Sequence, residues 1–368
     1  MSRFSVVIPS SPFLLQRQAG LSGVARSVIL ADLEGANRIY IVSPVPIAPD
    51  WEKSFAARER ALPCIVQAAT RLDVPSNVDE RLLDLPADRL ATRDGMAFLL
   101  NNPMAELADD PDLFLAADLP GRITWQILLA SMKPGEGWVG RHINRPISFR
   151  ISALVMRGDT SPNVVTWFTF ALALVMTAVL AQGSVLCLAI GGALYQAVSV
   201  IDCVDGDIAR VGFRSSRAGA ALDTTFDMLA NLGFVAGVMI GVVRTYGLSH
   251  LSVAAGLCIV AALCMTLMTV LVRLGPKRGS FDVLRAAITM KLAHRPVLQS
   301  IVLFGEKAFK RDFYALFAAL LCVSGAAWLV PQLGLLGVCI WLLAILWCAP
   351  AIIADKDGDL LPSYVKAI

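Results

Sequence analysis

Six apolar runs, each about as long as a membrane-spanning helix, fill the chain after residue 160 and constrain its fold more than any other feature. A helix needs about 20 mainly apolar residues to cross a hydrocarbon core of about 30 Å. The runs cover residues 162–182, 184–201, 220–243, 251–274, 312–330 and 333–353. We therefore predict an α-helical polytopic membrane protein with six transmembrane helices.

The composition agrees with a membrane protein and excludes several other classes. Only 17% of the residues are charged, whereas soluble domains carry about 25%. This excludes a purely soluble enzyme, a disordered chain and a disulfide-stapled secreted module. The net charge of +3 is too small to indicate a nucleic-acid partner.

Basic residues lie on one side of the predicted spans. They concentrate at 141–157, 210–217 and 277–311, whereas the short connections at 182–183, 245–250 and 331–332 are nearly uncharged. The positive-inside rule then places both termini in the cytoplasm, and the N-terminus lacks the pattern of a signal peptide. We predict a multi-pass inner-membrane protein whose N-terminal domain and active site face the cytoplasm.

The predicted domains follow the change in composition along the chain. Residues 1–135 alternate short apolar runs with helical patterns, which indicates a soluble, cytoplasmic α/β domain. Residues 136–160 contain arginines among apolar residues and predict an amphipathic juxtamembrane helix in the headgroup plane; the alternative is a basic loop held by anionic lipid. The membrane domain covers 161–355, and a cytoplasmic tail covers 356–368.

Four carboxylates lie in segments that should be apolar: Asp202, Asp205, Asp223 and Asp227. Each ionised side chain in such a helix costs about 2.5–3.5 kcal/mol unless it is compensated. The i,i+3 and i,i+4 spacings put each pair on one helix face. Four oxygen donors suit two hard divalent cations, Mg²⁺ or Mn²⁺, in an arrangement typical of phosphoryl transfer.

The residues between these carboxylates fit a phosphate ligand. Gly206 and Gly219 permit a close approach to the backbone, and Arg210 can bind a phosphate. The alternative is a structural network in which the aspartates pair with Arg210, Arg214 and Arg217. Asp207 lies one position off the shared helix face, so we expect it to be solvated.

The pattern Asp202-x2-Asp205-Gly206-x2-Ala209-Arg210-x8-Gly219-x3-Asp223-x3-Asp227 resembles the full signature of the CDP-alcohol phosphotransferase family. The resemblance implies a six-helix, usually dimeric membrane fold that binds two divalent ions and releases CMP. It implies that Asp202, Asp205 and Asp223 are metal ligands and that Asp227 is both a ligand and the general base. It also implies that Gly206, Ala209, Arg210 and Gly219 bind the cytidine nucleotide. Residues 161–166, SPNVVT, are similar to the family's Thr-Pro-Asn-x-x-Thr entry, which implies that Asn163 helps to position the nucleotide.

The substrates of such an enzyme differ between branches of the family. We expect CDP-diacylglycerol as the donor, in phospholipid biosynthesis, with a soluble CDP-polyol as the alternative; a cation transporter is a remote third reading. The expected acceptor is a hydroxyl compound, with a polyol phosphate as one candidate. Four arginines are candidates to bind it or to anchor the chain at the membrane: Arg214, Arg217, Arg273 and Arg311.

The N-terminal domain carries a weaker resemblance. Residues 19–42 are similar to the first helix and second strand of sugar nucleotidyltransferases. Residues 129–157 resemble the junction in fused inositol-phosphate cytidylyltransferase and di-myo-inositol phosphate phosphate synthase proteins. After the first predicted strand, residues 8–14 read IPSSPFL and lack a glycine-rich, basic phosphate loop. We expect a degenerate nucleotidyltransferase-like domain, retained for scaffolding, dimerisation or regulation.

Overall fold

A computed structural model describes most of the chain. It covers residues 4–47, 49–57, 61–74, 81–101, 114–116, 120–132, 136–274, 282–295 and 310–354, together with positions 297, 302 and 305. The chain forms two compact units, and each is described by itself. The first comprises 1–136, 145–168 and 200–226; the second comprises 137–144, 169–199 and 227–368. The predicted tail at 356–368 lies outside the described residues.

A four-stranded parallel sheet organises the N-terminal part of the first unit. Its strands are β1 (Phe4–Pro9), β4 (Arg38–Val42), β5 (Cys64–Ala68) and β6 (Arg81–Asp84), in the order β5-β4-β1-β6. The central strand β1 is apolar and its middle four residues are buried, as a parallel strand covered on both faces requires. The predicted α/β character is confirmed for this part of the chain.

Helices and two antiparallel strand pairs, β2 with β3 and β7 with β8, complete the N-terminal part. Helix α2 (Gly23–Leu33) is buried along most of its length and packs on the sheet. The remaining elements are α1 (Pro12–Leu15), β2 (Arg17–Gln18), β3 (Leu21–Ser22), α3 (Glu52–Ala57), β7 (Arg89–Ala91), α4 (Arg93–Asn101), β8 (Phe114–Ala116) and α5 (Pro120–Ala130).

The predicted amphipathic segment is helical, but it does not present all of its apolar residues to lipid. A π-helical turn, Gly140–Asn144, precedes helix α6 (Arg145–Val155), and a 3₁₀ turn follows at Met156–Gly158. In α6 the side chains of Arg145, Ser148, Phe149 and Ser152 are buried within the protein. This face of α6 therefore packs within the protein, and the position of the helix in the headgroup plane stays a prediction.

Five helices in the described part of the chain are long and apolar enough to cross a membrane. They are α7 (Pro162–Ala181), α8 (Val185–Val211), α9 (Arg217–Tyr246), α10 (Leu251–Leu274) and α13 (Leu329–Ala354). A shorter helix, α11 (Asp282–Lys291), packs against α10 and α13.

The run at 312–330, predicted as a sixth span, contains a shorter helix. Helix α12 (Arg311–Val323) has 13 residues. At about 1.5 Å per residue it is roughly 20 Å long, less than the hydrocarbon thickness. The helix ends just before Gly325, whose φ of +80° is the left-handed conformation that commonly terminates a helix. The apolar run continues through this turn, and for that reason hydropathy alone did not show the break.

Glycines bring helices of the second unit into close contact. A Cβ added at Gly192 would lie 2.4 Å from Cβ of Cys322. Since α8 and α12 share a core that includes Cys322 and Ala318, any side chain at 192 must displace α12. At Gly256, by contrast, an added Cβ would make only an ordinary contact, 3.5 Å from Leu335.

We therefore expect Gly192→Ala to destabilise the protein by about 1–3 kcal/mol through overpacking. The matched control Gly256→Ala should be neutral or stabilising by up to about 1 kcal/mol, because alanine favours the helix. Thermal unfolding of the two variants in detergent measures the difference. Equal midpoints would contradict the close packing of α8 on α12.

Candidate active site

The two acidic pairs lie on the two long helices that the sequence predicted for them. Asp202 and Asp205 are on α8, and Asp223 and Asp227 are one turn apart on α9. Asp202 and Asp223 offer carboxylate oxygens within 4.8 Å of each other, and the same limit holds between Asp223 and Asp227. These carboxylates are only partly buried, and their separations suit a shared cation.

Asp205, the other predicted ligand, is 4% exposed. It accepts a hydrogen bond of 2.6 Å from the Thr166 hydroxyl. Thr166 was not among the residues predicted for the site. Its position three residues after Asn163, on the same face of α7, was the available signal.

All five residues predicted to bind the nucleotide line one cavity of about 250 Å³. Asp205 and Asp223 also line it, so the cavity opens beside two of the predicted metal ligands. Its walls are the first turns of α7, the end of α8, the loop after α8 and the start of α9. The predicted nucleotide residues are Asn163, Gly206, Ala209, Arg210 and Gly219.

The two glycines of the motif leave space that a side chain would fill. An added Cβ at Gly219 would lie 3.0 Å from Oγ of Ser216 and 3.2 Å from Oδ1 of Asn163. At Gly206 it would lie 2.8 Å from a guanidinium nitrogen of Arg210. Glycine at these positions lets Asn163 and Arg210 reach the cavity.

Asp207 is fully buried, so the expectation that it is solvated was wrong. Its carboxylate forms ion pairs with Arg145 and, at 2.8 Å, with Arg210. It also accepts hydrogen bonds of 3.2 and 3.3 Å from the hydroxyls of Ser148 and Ser152. Three of these partners belong to α6, about sixty residues earlier, and spacing along α8 could not show them.

Arg145 has a second carboxylate partner. Glu136 accepts hydrogen bonds of 2.8 and 3.1 Å from its Nε and Nη2. Burial by itself would lower the pKa of Arg145, but the hydrogen bonds with Glu136 and the charge of Asp207 raise it above the ordinary arginine value. A permanently charged Arg145 therefore holds Asp207, and Asp207 orients Arg210 at the edge of the cavity.

The candidate acceptor-binding arginines have different surroundings. Arg214 pairs with Asp159, which also pairs with Lys53, whereas Arg217 is exposed at the start of α9. In the second unit Arg311 pairs with Asp227. Arg273 lies near the end of α10, and its side chain is outside the described residues.

These pairings limit the alternative of a structural aspartate–arginine network. Arg210 and Arg214 are engaged by Asp207 and Asp159, two carboxylates that are not part of the four-aspartate motif. Arg210, at the end of α8, and Arg214, in the loop after it, therefore each have a carboxylate partner outside the four-aspartate motif.

Comparisons with known proteins agree with the motif. A sequence model of the CDP-alcohol phosphatidyltransferase family matches residues 159–348. Curated relatives include the "Bifunctional IPC transferase and DIPP synthase" of Thermococcus kodakarensis, 37% identical over 102 residues, which are 28% of this chain and 22% of the relative. The protein of the same name from Rubrobacter xylanophilus is 35% identical over 121 residues, 33% of this chain and 27% of the relative. The chain thus spans less than a third of the length of these relatives.

Asp207→Asn should destabilise the protein by about 1–3 kcal/mol, because the charge-assisted bonds of Arg145 and Arg210 to this carboxylate are weakened while Arg145 keeps Glu136. Thermal unfolding in detergent provides the measurement. Asp88→Asn is the matched control, since the Asp88 side chain is 72% exposed. The role given to Asp207 would be contradicted if both variants unfolded at the same temperature.

The ion pairs of Asp159 predict that the free energy of unfolding depends on pH. Burial would raise its pKa, but the hydrogen bonds from Lys53 and Arg214 lower it to about 2. A carboxyl whose pKa is depressed on folding stabilises the folded state above its ordinary pKa, and this contribution is lost as the pH falls through the folded value. Asp159→Asn should therefore cost about 2 kcal/mol at pH 7. The variant and the original protein should converge as the pH approaches 2, in unfolding measured across that range. A difference that stayed constant would show that the charge of Asp159 is not responsible.

Proposed function

The chain belongs to the CDP-alcohol phosphatidyltransferase family, and we propose that it transfers a substituted phosphoryl group from a CDP-alcohol to an acceptor hydroxyl, releasing CMP. One observation carries this proposal. Four motif residues at fixed spacing and Asn163 line one cavity, and two of the motif carboxylates line it with them. A cytidine diphosphate bound there would have its pyrophosphate next to the acidic group.

The acidic group fits the divalent cations that this family generally uses. Carboxylate oxygens without histidine or cysteine suit Mg²⁺ or Mn²⁺. We assign their binding to Asp202, Asp205, Asp223 and Asp227. When bound, two such cations would neutralise charge on the pyrophosphate and favour departure of CMP.

The protein's own residues orient the donor. Arg210, held by Asp207, contributes a positive charge at the cavity edge for a phosphate oxygen. Asn163 and the backbone at Gly206 and Gly219 line the same cavity and limit how the nucleotide can lie. Such positioning supplies much of the catalysis in a phosphoryl transfer.

Asp227 is the proposed general base. It takes the proton of the acceptor hydroxyl, the oxygen forms a bond to the β-phosphorus, and the bond to the CMP oxygen breaks with its electron pair leaving on CMP. Arg311 pairs with Asp227 and restrains this carboxylate. As the first residue of α12, Arg311 would lie at the acceptor side of the reaction.

Two donors fit this chemistry. We propose CDP-diacylglycerol, in phospholipid synthesis, because the motif lies on helices apolar enough for a bilayer. A soluble CDP-polyol is the second candidate, favoured by the name "DIPP synthase" that the curated relatives carry. We also propose that the enzyme is a homodimer of the inner membrane with its site on the cytoplasmic side.

We propose that the domain at 1–135 is nucleotidyltransferase-like but has lost that activity. Asp50 supports this, because its carboxylate accepts hydrogen bonds of 2.9 and 3.0 Å from the backbone N–H and hydroxyl of Ser22, the N-cap of α2. The N-terminus of a helix is where a phosphate would bind. In this domain the protein's own carboxylate occupies it.

The test is CMP release by the purified protein in detergent with Mg²⁺ or Mn²⁺. CDP-diacylglycerol and CDP-inositol are compared as donors, each with glycerol 3-phosphate, inositol 1-phosphate, inositol, serine and choline. We expect metal-dependent release with one pair, reduced by about 10²–10⁴-fold in Asp227→Asn, because the proton acceptor is lost. Asp202→Asn should raise the metal concentration that activity requires.

Asp88→Asn is again the matched control and should keep full activity, because Asp88 is exposed and distant in sequence from the motif. Release of CMP with CDP-inositol alone would show that the donor is a soluble CDP-polyol. No release with any pair, from protein that remains folded, would refute the proposed transfer.

A further inference from the structure

The C-terminal end of α8, which carries half of the motif, is completed by residues of the N-terminal domain. The last carbonyls of any helix have no partner within it, and where they are buried they need donors from elsewhere. Here Phe213 adopts a left-handed conformation with φ of +51°. Its N–H donates to the carbonyl of Arg210, and the N–H of Arg214 donates to that of Ala209, as in a Schellman motif.

This motif leaves two carbonyls, and both bind side chains of the N-terminal domain. Nη1 of Arg26 donates to the carbonyl of Val211 at 2.9 Å. The hydroxyl of Ser54 donates to the carbonyl of Gly212 at 2.8 Å. Both donors are buried, Ser54 completely. Each hydrogen bond therefore satisfies a carbonyl that water cannot reach.

Arg26 is fixed by the N-terminal domain itself. Its remaining guanidinium nitrogens donate to the carbonyls of Gln18 and Ala19, at 2.8 to 3.3 Å. Burial lowers the pKa of Arg26 to about 10, against the opposing effect of Asp50, so the side chain is still charged at neutral pH. A cation at this place also interacts favourably with the negative, C-terminal end of the α8 dipole.

The left-handed residue is anchored by the same domain. The Phe213 ring lies under Arg26, 5.9 Å from the guanidinium carbon, and packs against the core of the N-terminal domain. A residue other than glycine in this conformation costs roughly 1 kcal/mol or more. Packing of the ring offsets that cost and ties the cap of α8 to the N-terminal domain.

We propose that Arg26, Ser54 and Phe213 form a joint through which the N-terminal domain positions the nucleotide-binding end of α8. Arg210 lies one residue before Val211, and Arg214, two residues after Gly212, lines the same cavity as Arg210. A loose joint would leave both side chains poorly placed for the donor. These are positioning residues, since they act through α8 and touch no substrate; the kinetic part of the inference rests on the proposed function.

The test compares Ser54→Ala, Arg26→Lys and Phe213→Gly in the full chain. Two controls remove or alter similar groups elsewhere in the same unit. Ser131→Ala removes a hydroxyl that bonds within its own segment, to the Leu128 carbonyl, and Arg93→Lys alters an exposed arginine paired with Glu34. Hydrogen exchange of the amides at 212–214 and the KM for the donor are measured for each protein.

We expect exchange on the order of tenfold faster at these amides in Ser54→Ala and Arg26→Lys, since each loses a buried hydrogen bond. The donor KM should rise several-fold, with the acceptor KM unchanged. Phe213→Gly should behave likewise, although glycine accepts the left-handed conformation, because the docking ring is gone. Both controls should match the original protein.

Each alternative outcome is decisive. Unchanged exchange in Ser54→Ala and Phe213→Gly would refute the joint, and these two keep the test valid if Arg26→Lys does not fold. Faster exchange with an unchanged donor KM would refute the positioning role. Because exchange is measured without substrate, absence of CMP release from the original protein would count against the proposed function and leave the exchange result to decide the joint.

Discussion

The ion pair between Asp207 and Arg145 is the interaction on which the rest of the site depends. Asp207 has no exposed surface, and the cost of removing a carboxylate from water is several kcal/mol unless it is paired and hydrogen-bonded. Arg145, Arg210 and two serine hydroxyls provide that compensation. The pair ties α6 to α8, and it also fixes the guanidinium that the cavity presents to a ligand.

The same requirement explains why the aspartates of α8 differ in burial. Asp207 is neutralised by protein groups alone and can be buried completely. Asp202 remains partly exposed, and its carboxylate lies within 4.8 Å of that of Asp223 on α9, an arrangement that a cation would stabilise. Helix α8 thus carries one carboxylate that stabilises the fold and another that is a candidate metal ligand.

Local patterns in the sequence were enough for most of the long helices and for several residues of the cavity. Hydropathy located α7 to α10, and two sequence motifs named five residues that the structure gathers around one cavity. Failures came where the answer depended on distant residues. Asp207 was wrongly predicted to be solvated because its partners lie on α6, far away in sequence. The sixth span was predicted because the apolar run at 312–330 continues through the turn at Gly325. Hydrophobicity indicates whether a segment can lie in a membrane or in a protein core, whereas a turn within that segment depends on backbone conformation.

The N-terminal domain contributes to the site through the polar groups that it supplies to α8. Asp50 accepts hydrogen bonds from Ser22, the N-cap of α2, and Arg26, a few residues along that helix, binds the end of α8. Without this domain the carbonyls of Val211 and Gly212 would lose the side chains that donate to them. Because a buried carbonyl without a donor is costly, the fold of the nucleotide-binding end of α8 depends on a domain that is far from it in sequence.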